Sequence, residues 1–101
     1  VLFRSAKYAS VPVINGLSDY LHPTQVLADL MTIKEYRGRI EGLKLAYIGD
    51  GNNMANSLLL GGTKMGMQVT IASPKGYEPA LEIRNLAEQN AKLSGGSALV
   101  V

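Results

Sequence analysis

An α/β fold built on parallel sheets is what this sequence predicts, and three observations predict it. From Leu43 onward, apolar runs of strand length (Leu43–Ile48, Gln68–Ala72, Ser97–Val101) alternate with segments of helical length. The turns between them are rich in Gly, Asn, Ser and Pro, as in Gly49-Asp50-Gly51-Asn52-Asn53 and Ser73-Pro74-Lys75-Gly76. Upstream, a second short apolar run, Val11–Ile14, precedes a helix that starts at His22-Pro23. Strands joined through helices in this order require right-handed crossovers and parallel pairing. The expectation is parts of two doubly wound parallel-sheet domains joined by a helix, in three αβα layers.

Val1–Ser10 is short and mixed, with a helix end expected around Ala6–Ala9. Val11-Pro12-Val13-Ile14 reads as a short buried strand, Pro12 standing near its start where a missing donor is tolerated. Asn15-Gly16 closes it, and Leu17–Leu21 is a loop that delivers the chain to the next helix. Pro23 suits the first helical position, which puts His22 at the N-cap and Gln25 in the first turn. Free N–H groups and the helix dipole favour an anion there, so His22 and Gln25 are candidates to read a ligand. The alternative is that they merely cap the helix, and spacing alone leaves both open. Asp19 in the preceding loop has the same two readings, as a site carboxylate or as an ordinary turn residue.

Val26, Leu27, Leu30, Met31 and Ile33 recur at spacings of three and four, giving that helix an apolar face as far as about Tyr36. Gly38 and Gly42, with the solvated charges Glu35, Arg37, Arg39 and Glu41, mark a break and a candidate domain boundary. After the strand ending at Ile48 comes the Gly-Asp-Gly-Asn-Asn turn, then an apolar helix over Met54–Met67 with small residues (Ala55, Ser57, Gly61, Gly62) for close packing. Pro79 is expected to open a helix to about Leu93, its apolar side made by Leu81, Ile83, Leu86 and Ala87, and Ser94-Gly95-Gly96 stops it.

The turn after Ile48 superficially suggests a dinucleotide fingerprint, but Met54 stands where the third glycine of G-x-G-x-x-G belongs. A nicotinamide- or flavin-binding oxidoreductase domain is therefore disfavoured. What remains is a pair of asparagine amides at a helix start, each able to donate and to accept. Such groups suit a zwitterion, which offers an ammonium and a carboxylate. Capping is the competing role, and for Asn52 it is the favoured one.

Composition narrows the classes further. With 101 residues and 47% hydrophobic, the chain can bury a core. A net charge of +2, with scattered basic residues, gives no argument for nucleic acid. The absence of cysteine excludes disulfides and thiol chemistry, and a single histidine excludes a multi-histidine metal site in this chain. No apolar run approaches the roughly 20 residues that span a bilayer. The chain starts at Val1 without methionine and ends on strand-like Ala98–Val101, so both ends read as cut from something longer.

Taken together, His22-Pro23-Thr24-Gln25, Asn15-Gly16-Leu17-Ser18-Asp19, Gly49-Asp50-Gly51-Asn52-Asn53, Lys64-Met65-Gly66-Met67 and Pro74-Lys75-Gly76-Tyr77-Glu78-Pro79 resemble the ornithine carbamoyltransferases. The motifs keep their order and separation from Ala6 onward. The His-Pro-x-Gln element is shared with aspartate carbamoyltransferases, and the Asn-Asn pair leans towards ornithine. The resemblance implies that His22 and Gln25 bind the carbamoyl group of carbamoyl phosphate, with His22 catalytic, and that Asn53 binds ornithine. It implies transfer of the carbamoyl group to the δ-amino group of L-ornithine, giving L-citrulline and phosphate in arginine biosynthesis, with no metal or organic cofactor. Another amine, aspartate or putrescine, is the runner-up acceptor.

Under the same resemblance, residues 1–38 are the end of a carbamoyl phosphate-binding domain with its linking helix, and 43–101 the start of an ornithine-binding domain. Asn53 then stands past the boundary, on the opposite wall of a cleft from the His22 helix. The family implies a homotrimer that is cytoplasmic, or in the mitochondrial matrix of a eukaryote, with no nucleic acid or membrane partner. The family's Ser-x-Arg-Thr-Arg phosphate loop and its His-Cys-Leu-Pro motif are not in this sequence. Arg4 stands too close to Ala6 to match the family's carbamoyl phosphate arginine, and Val1–Ser5 reads as an unrelated or mis-joined start.

Overall fold

Three parallel strands, side by side in the order β1-β2-β3, organise the computed structural model, which describes residues 2–101. Val1, at the head of the Val1–Ser5 stretch, lies outside the described residues. The elements run α1 (Leu2–Tyr8), α2 (Pro23–Arg37), β1 (Lys44–Ile48), α3 (Asn53–Lys64), β2 (Gln68–Ala72), α4 (Leu81–Ser94) and β3 (Ser97–Val100). The parallel α/β class that the sequence predicts is the class observed. In register, Leu45 lies beside Val69 and Val69 beside Ala98, while Tyr47 lies beside Ile71 and Ile71 beside Val100. Alternate residues of a strand share a face, so these six apolar side chains line one side of the sheet.

That side is where the core forms. Leu59 of α3, Ile83 and Ala87 of α4, and Leu30 of α2 join Met67, Val69 and Ile71 in one buried cluster. Helices α3 and α4 pack on each other, α3 also on β2 and β3 and α4 on β3. Two crossovers of one hand, stepping the same way along a sheet, carry their helices to one face. The opposite face carries Lys44, Ala46, Ile48, Gln68 and Leu99, and among the described residues it is open: Ile48 is 86% exposed.

Helix α2 lies along α3, and its contact is narrower than its apolar stripe. Val26 and Leu30 are buried and Ile33 packs on the core, whereas Leu27 and Met31 are 64% and 65% exposed. The close approach is made at Gly61, where a Cβ would lie 3.1 Å from Val26 Cγ2. α2 ends at Gly38, whose φ of 74° is left-handed, and whose N–H donates to Lys34 O at 2.8 Å.

Three local expectations are corrected. Val11–Ile14 is not a strand, and Val11 and Ile14 are 68% and 79% exposed. A strand exists through its pairing, and no described residue offers this segment a partner ladder. Helix α4 begins at Leu81, two residues after Pro79. Its buried side is Ile83, Ala87 and Ala91, while Leu81 and Leu86 are exposed, because only the i, i+4, i+8 row meets α3 and the sheet.

Candidate functional site

The site is best built from the loop that leads into α2. Ser18 closes it on itself: its N–H donates to Leu21 O at 2.8 Å, and its Oγ accepts from the Leu21 N–H at 3.0 Å. The Thr24 hydroxyl donates back to Gly16 O at 3.0 Å. His22 occupies the N-cap of α2 with Pro23 following, as the spacing predicts, yet its side chain makes no capping bond. The pure capping reading of His22 therefore fails. Its Nδ1 is buried and has no hydrogen-bond partner. A buried polar atom without a partner is costly, so polar demand is left unmet at the start of α2.

Gln25 stands in the first turn of α2, exposed, and its Nε2 donates to Asp29 Oδ1 at 3.0 Å along the helix surface. Asp19 is exposed in the loop.

Asn52 and Asn53 divide the work at the start of α3. Asn52 is the N-cap, its Oδ1 accepting from the Ala55 N–H at 3.0 Å, as the capping reading anticipates. Asn53 instead donates from Nδ2 to Ser18 O at 2.9 Å. One turn later the Asn56 amide donates to Tyr20 O at 3.0 Å, and Ser57 Oγ accepts from the His22 backbone N–H at 2.7 Å. Asn53, Asn56 and Ser57 stand at i, i+3 and i+4, one face of a helix. The groups they hold, the carbonyls of Ser18 and Tyr20 and the N–H of His22, follow one another along the bent segment that leads into α2.

Asn53 is consequently not across a cleft from the His22 helix, as expected; the two lie along one seam. The reason is the lengthwise packing of α2 on α3. His22 meets Ser57, and one turn further Val26 meets Gly61, so the helices run the same way with their N-termini together. The two N-termini, offset by about one turn, point the same way, and their like dipole ends favour an anion on that side.

Asn56 and Ser57 were missed by sequence reasoning, which took Ser57 only as a small packing residue. The available signal was their polarity at helical spacing from Asn53 inside an otherwise apolar helix. Of the four buried side-chain polar atoms without a partner among the described residues, Asn15 Oδ1, His22 Nδ1 and Asn56 Oδ1 lie along this seam. The unmet polar demand is concentrated there.

The Gly49–Asn53 turn is roofed by its own chain. The Gly51 N–H donates to Tyr77 O at 2.6 Å, and a Cβ on Gly51 would lie 2.7 Å from Pro79 Cα. Only glycine lets the two backbones cross this closely. A dinucleotide pyrophosphate needs that same approach to the second glycine, and here Glu78 and Pro79 occupy it. The oxidoreductase alternative thus loses its site as well as its third glycine.

Tyr20 adds a further tie. Its hydroxyl donates to Glu82 Oε1 of α4 at 2.7 Å. That hydrogen bond raises the phenol pKa above its ordinary value, helped by desolvation and by the Glu82 charge. Elsewhere, a cleft of about 580 Å³ opens between the end of α2 and β1, lined by Ile33, Tyr36, Leu43 and Leu45 among others. It contains none of the seam residues. No described helix is long and apolar enough to cross a membrane.

Comparison with known proteins agrees with the fold. Residues 2–35 match the model of the aspartate/ornithine carbamoyltransferase carbamoyl-P binding domain, and residues 41–101 that of the Asp/Orn binding domain, so Leu2–Ser5, expected to be an unrelated start, fall within the matched range. The chain is similar to an ornithine carbamoyltransferase of Thermococcus kodakarensis, 63% identical over 91% of this chain and 29% of the relative. Among solved structures it superposes on the Pyrococcus furiosus ornithine carbamoyltransferase with a TM-score of 0.96 and 56% identity, covering 99% of this chain and 32% of that one. The Gloeobacter violaceus ornithine carbamoyltransferase gives a TM-score of 0.95 and 49% identity, covering 98% and 35%. The chain therefore spans about a third of the length of the proteins it matches.

Proposed function

The chain belongs to the aspartate/ornithine carbamoyltransferase family, and from that premise we propose that it works as the central part of a longer ornithine carbamoyltransferase. Residues 1–38 then close the carbamoyl phosphate-binding domain with its linking helix, and 43–101 open the ornithine-binding domain; the matched ranges 2–35 and 41–101 support this division. The full-length protein works as a homotrimer in the cytoplasm, or in the mitochondrial matrix of a eukaryote. It takes carbamoyl phosphate and L-ornithine as partners, with no nucleic acid or membrane.

The reaction joins the δ-nitrogen of ornithine to the carbamoyl carbon. The C–O bond to phosphate breaks, the amine gives up a proton, and citrulline and phosphate leave. Such a transfer needs two substrates held in line and an oxyanion stabilised as it forms. His22 donates to the carbamoyl oxygen. Gln25 accepts from the carbamoyl NH2 through Oε1, the end of its amide that Asp29 does not engage. Asn53 spends one N–H on Ser18, and its second N–H and its Oδ1 remain for the carboxylate and ammonium of ornithine.

One observation carries this reading: the buried, unpartnered His22 Nδ1 stands at an uncapped helix start, beside the start of α3. Ornithine is favoured over aspartate or putrescine by the Asn52-Asn53 pair and by the relatives' names. The test is product analysis with the full-length protein, carbamoyl phosphate and each of the three amines. Citrulline should dominate; carbamoyl aspartate or carbamoyl putrescine as the main product would reassign the acceptor. In the same enzyme His22→Ala should lower kcat and kcat/KM together by about 100- to 1000-fold, the loss typical of one oxyanion donor. Parental kinetics in that variant would remove His22 from the chemistry.

A further inference from the structure

We infer that Ser57 is a positioning residue for His22: it does not touch the substrate, and it sets the place of the residue that does. The inference rests on the carbamoyl role of His22 proposed above. His22 has no capping bond from its own side chain to hold it, and residues at an N-cap have non-helical backbone angles, here φ −129° and ψ 68°. Its backbone N–H is fixed instead by Ser57 Oγ at 2.7 Å. Ser57 is 3% exposed, on a helix packed into the core, so the acceptor itself cannot wander.

The neighbouring rungs sharpen the point. Asn53 and Asn56 hold the carbonyls of Ser18 and Tyr20, so the segment is gripped at alternate residues up to His22. Only the last rung acts on the residue whose Nδ1 is left buried and unpartnered. Removing the Ser57 hydroxyl leaves a half-buried N–H without its acceptor and frees the His22 backbone to turn. The imidazole is carried with it, away from the line between the two substrates. A merely structural serine would cost stability without touching the chemistry.

The experiment uses a full-length carbamoyltransferase carrying this chain and compares Ser57→Ala, Ser57→Thr, His22→Ala and the Ser57→Ala/His22→Ala double variant. Ser57→Ala should lower kcat by about tenfold to hundredfold, the range expected when a reacting group is displaced by a fraction of an ångström to an ångström. The KM for ornithine should change far less. Ser57→Thr keeps the acceptor oxygen and should recover most of the loss. On the His22→Ala background Ser57→Ala should have no further effect on kcat, because the group it positions is gone.

Multiplicative effects in the double variant would overturn the inference, as would a kcat loss in Ser57→Ala that follows its melting temperature with no recovery in Ser57→Thr. If Ser57→Thr does not fold, the double variant alone decides. Parental kinetics in His22→Ala would fell the carbamoyl reading and this inference with it. A strong His22→Ala effect beside an independent Ser57→Ala effect fells only this one.

Discussion

Asn52 and Asn53 are adjacent and chemically identical, and the helix start gives them different work. Asn52 spends its carbonyl oxygen on the Ala55 N–H, so replacing it by alanine should cost about 0.5–2 kcal/mol of stability, the range for a lost cap, with little change in substrate binding. Asn53 keeps one amide hydrogen and its oxygen uncommitted. In the full-length enzyme Asn53→Ala should raise the KM for ornithine strongly and the carbamoyl phosphate Kd more weakly, the second effect arriving through the freed Ser18 carbonyl. Steady-state kinetics with both substrates, and calorimetry for carbamoyl phosphate, measure the difference. Equal weakening of the two would make Asn53 a loop anchor and nothing more.

Elements are held to one another here by few but specific ties, and the one from the α2-leading loop to α4 is sensitive to alkali. The Tyr20 hydroxyl donates to Glu82, and the folded phenol pKa is raised above its unfolded value. Stability from this tie is therefore fully present below about pH 10 and is lost as pH rises through the folded pKa. Comparing melting temperatures of parent and Tyr20→Phe across that window should show a gap at neutral pH that closes in alkali. A gap that stays constant or widens would count against the bond. The strands, helices and turns from Leu43 onward were legible because each has its own period and stop signal. The Val11–Ile14 strand was misread because an apolar run does not reveal whether a neighbour exists to pair with it. His22, Gln25 and Asn53 could be singled out from their motifs. The seam that joins two of them could not, since it depends on α2 lying lengthwise on α3, and contacts across 35 residues leave no local trace.

At the scale of the whole molecule, the sheet is covered on one side and open on the other among the described residues. The Cα radius of gyration is 14.1 Å, against about 13 Å for a compact domain of this length, which agrees with the uncovered face and the unpaired Val11–Ile14 segment. The 101-residue chain alone lacks the family's phosphate loop. It should form no citrulline, and carbamoyl phosphate should give no measurable heat in calorimetry; turnover by this chain, free of host enzyme, would refute that. The three rungs along the seam also bear on how the chain assembles. They span 35, 36 and 35 residues, so all three close nearly the same loop. Closure entropy depends on loop length and is charged once, to whichever rung forms first. The other two then join with little further chain ordering. Once the first rung has formed, the seam should therefore close like a zipper, the later rungs following without a second loop-closure cost.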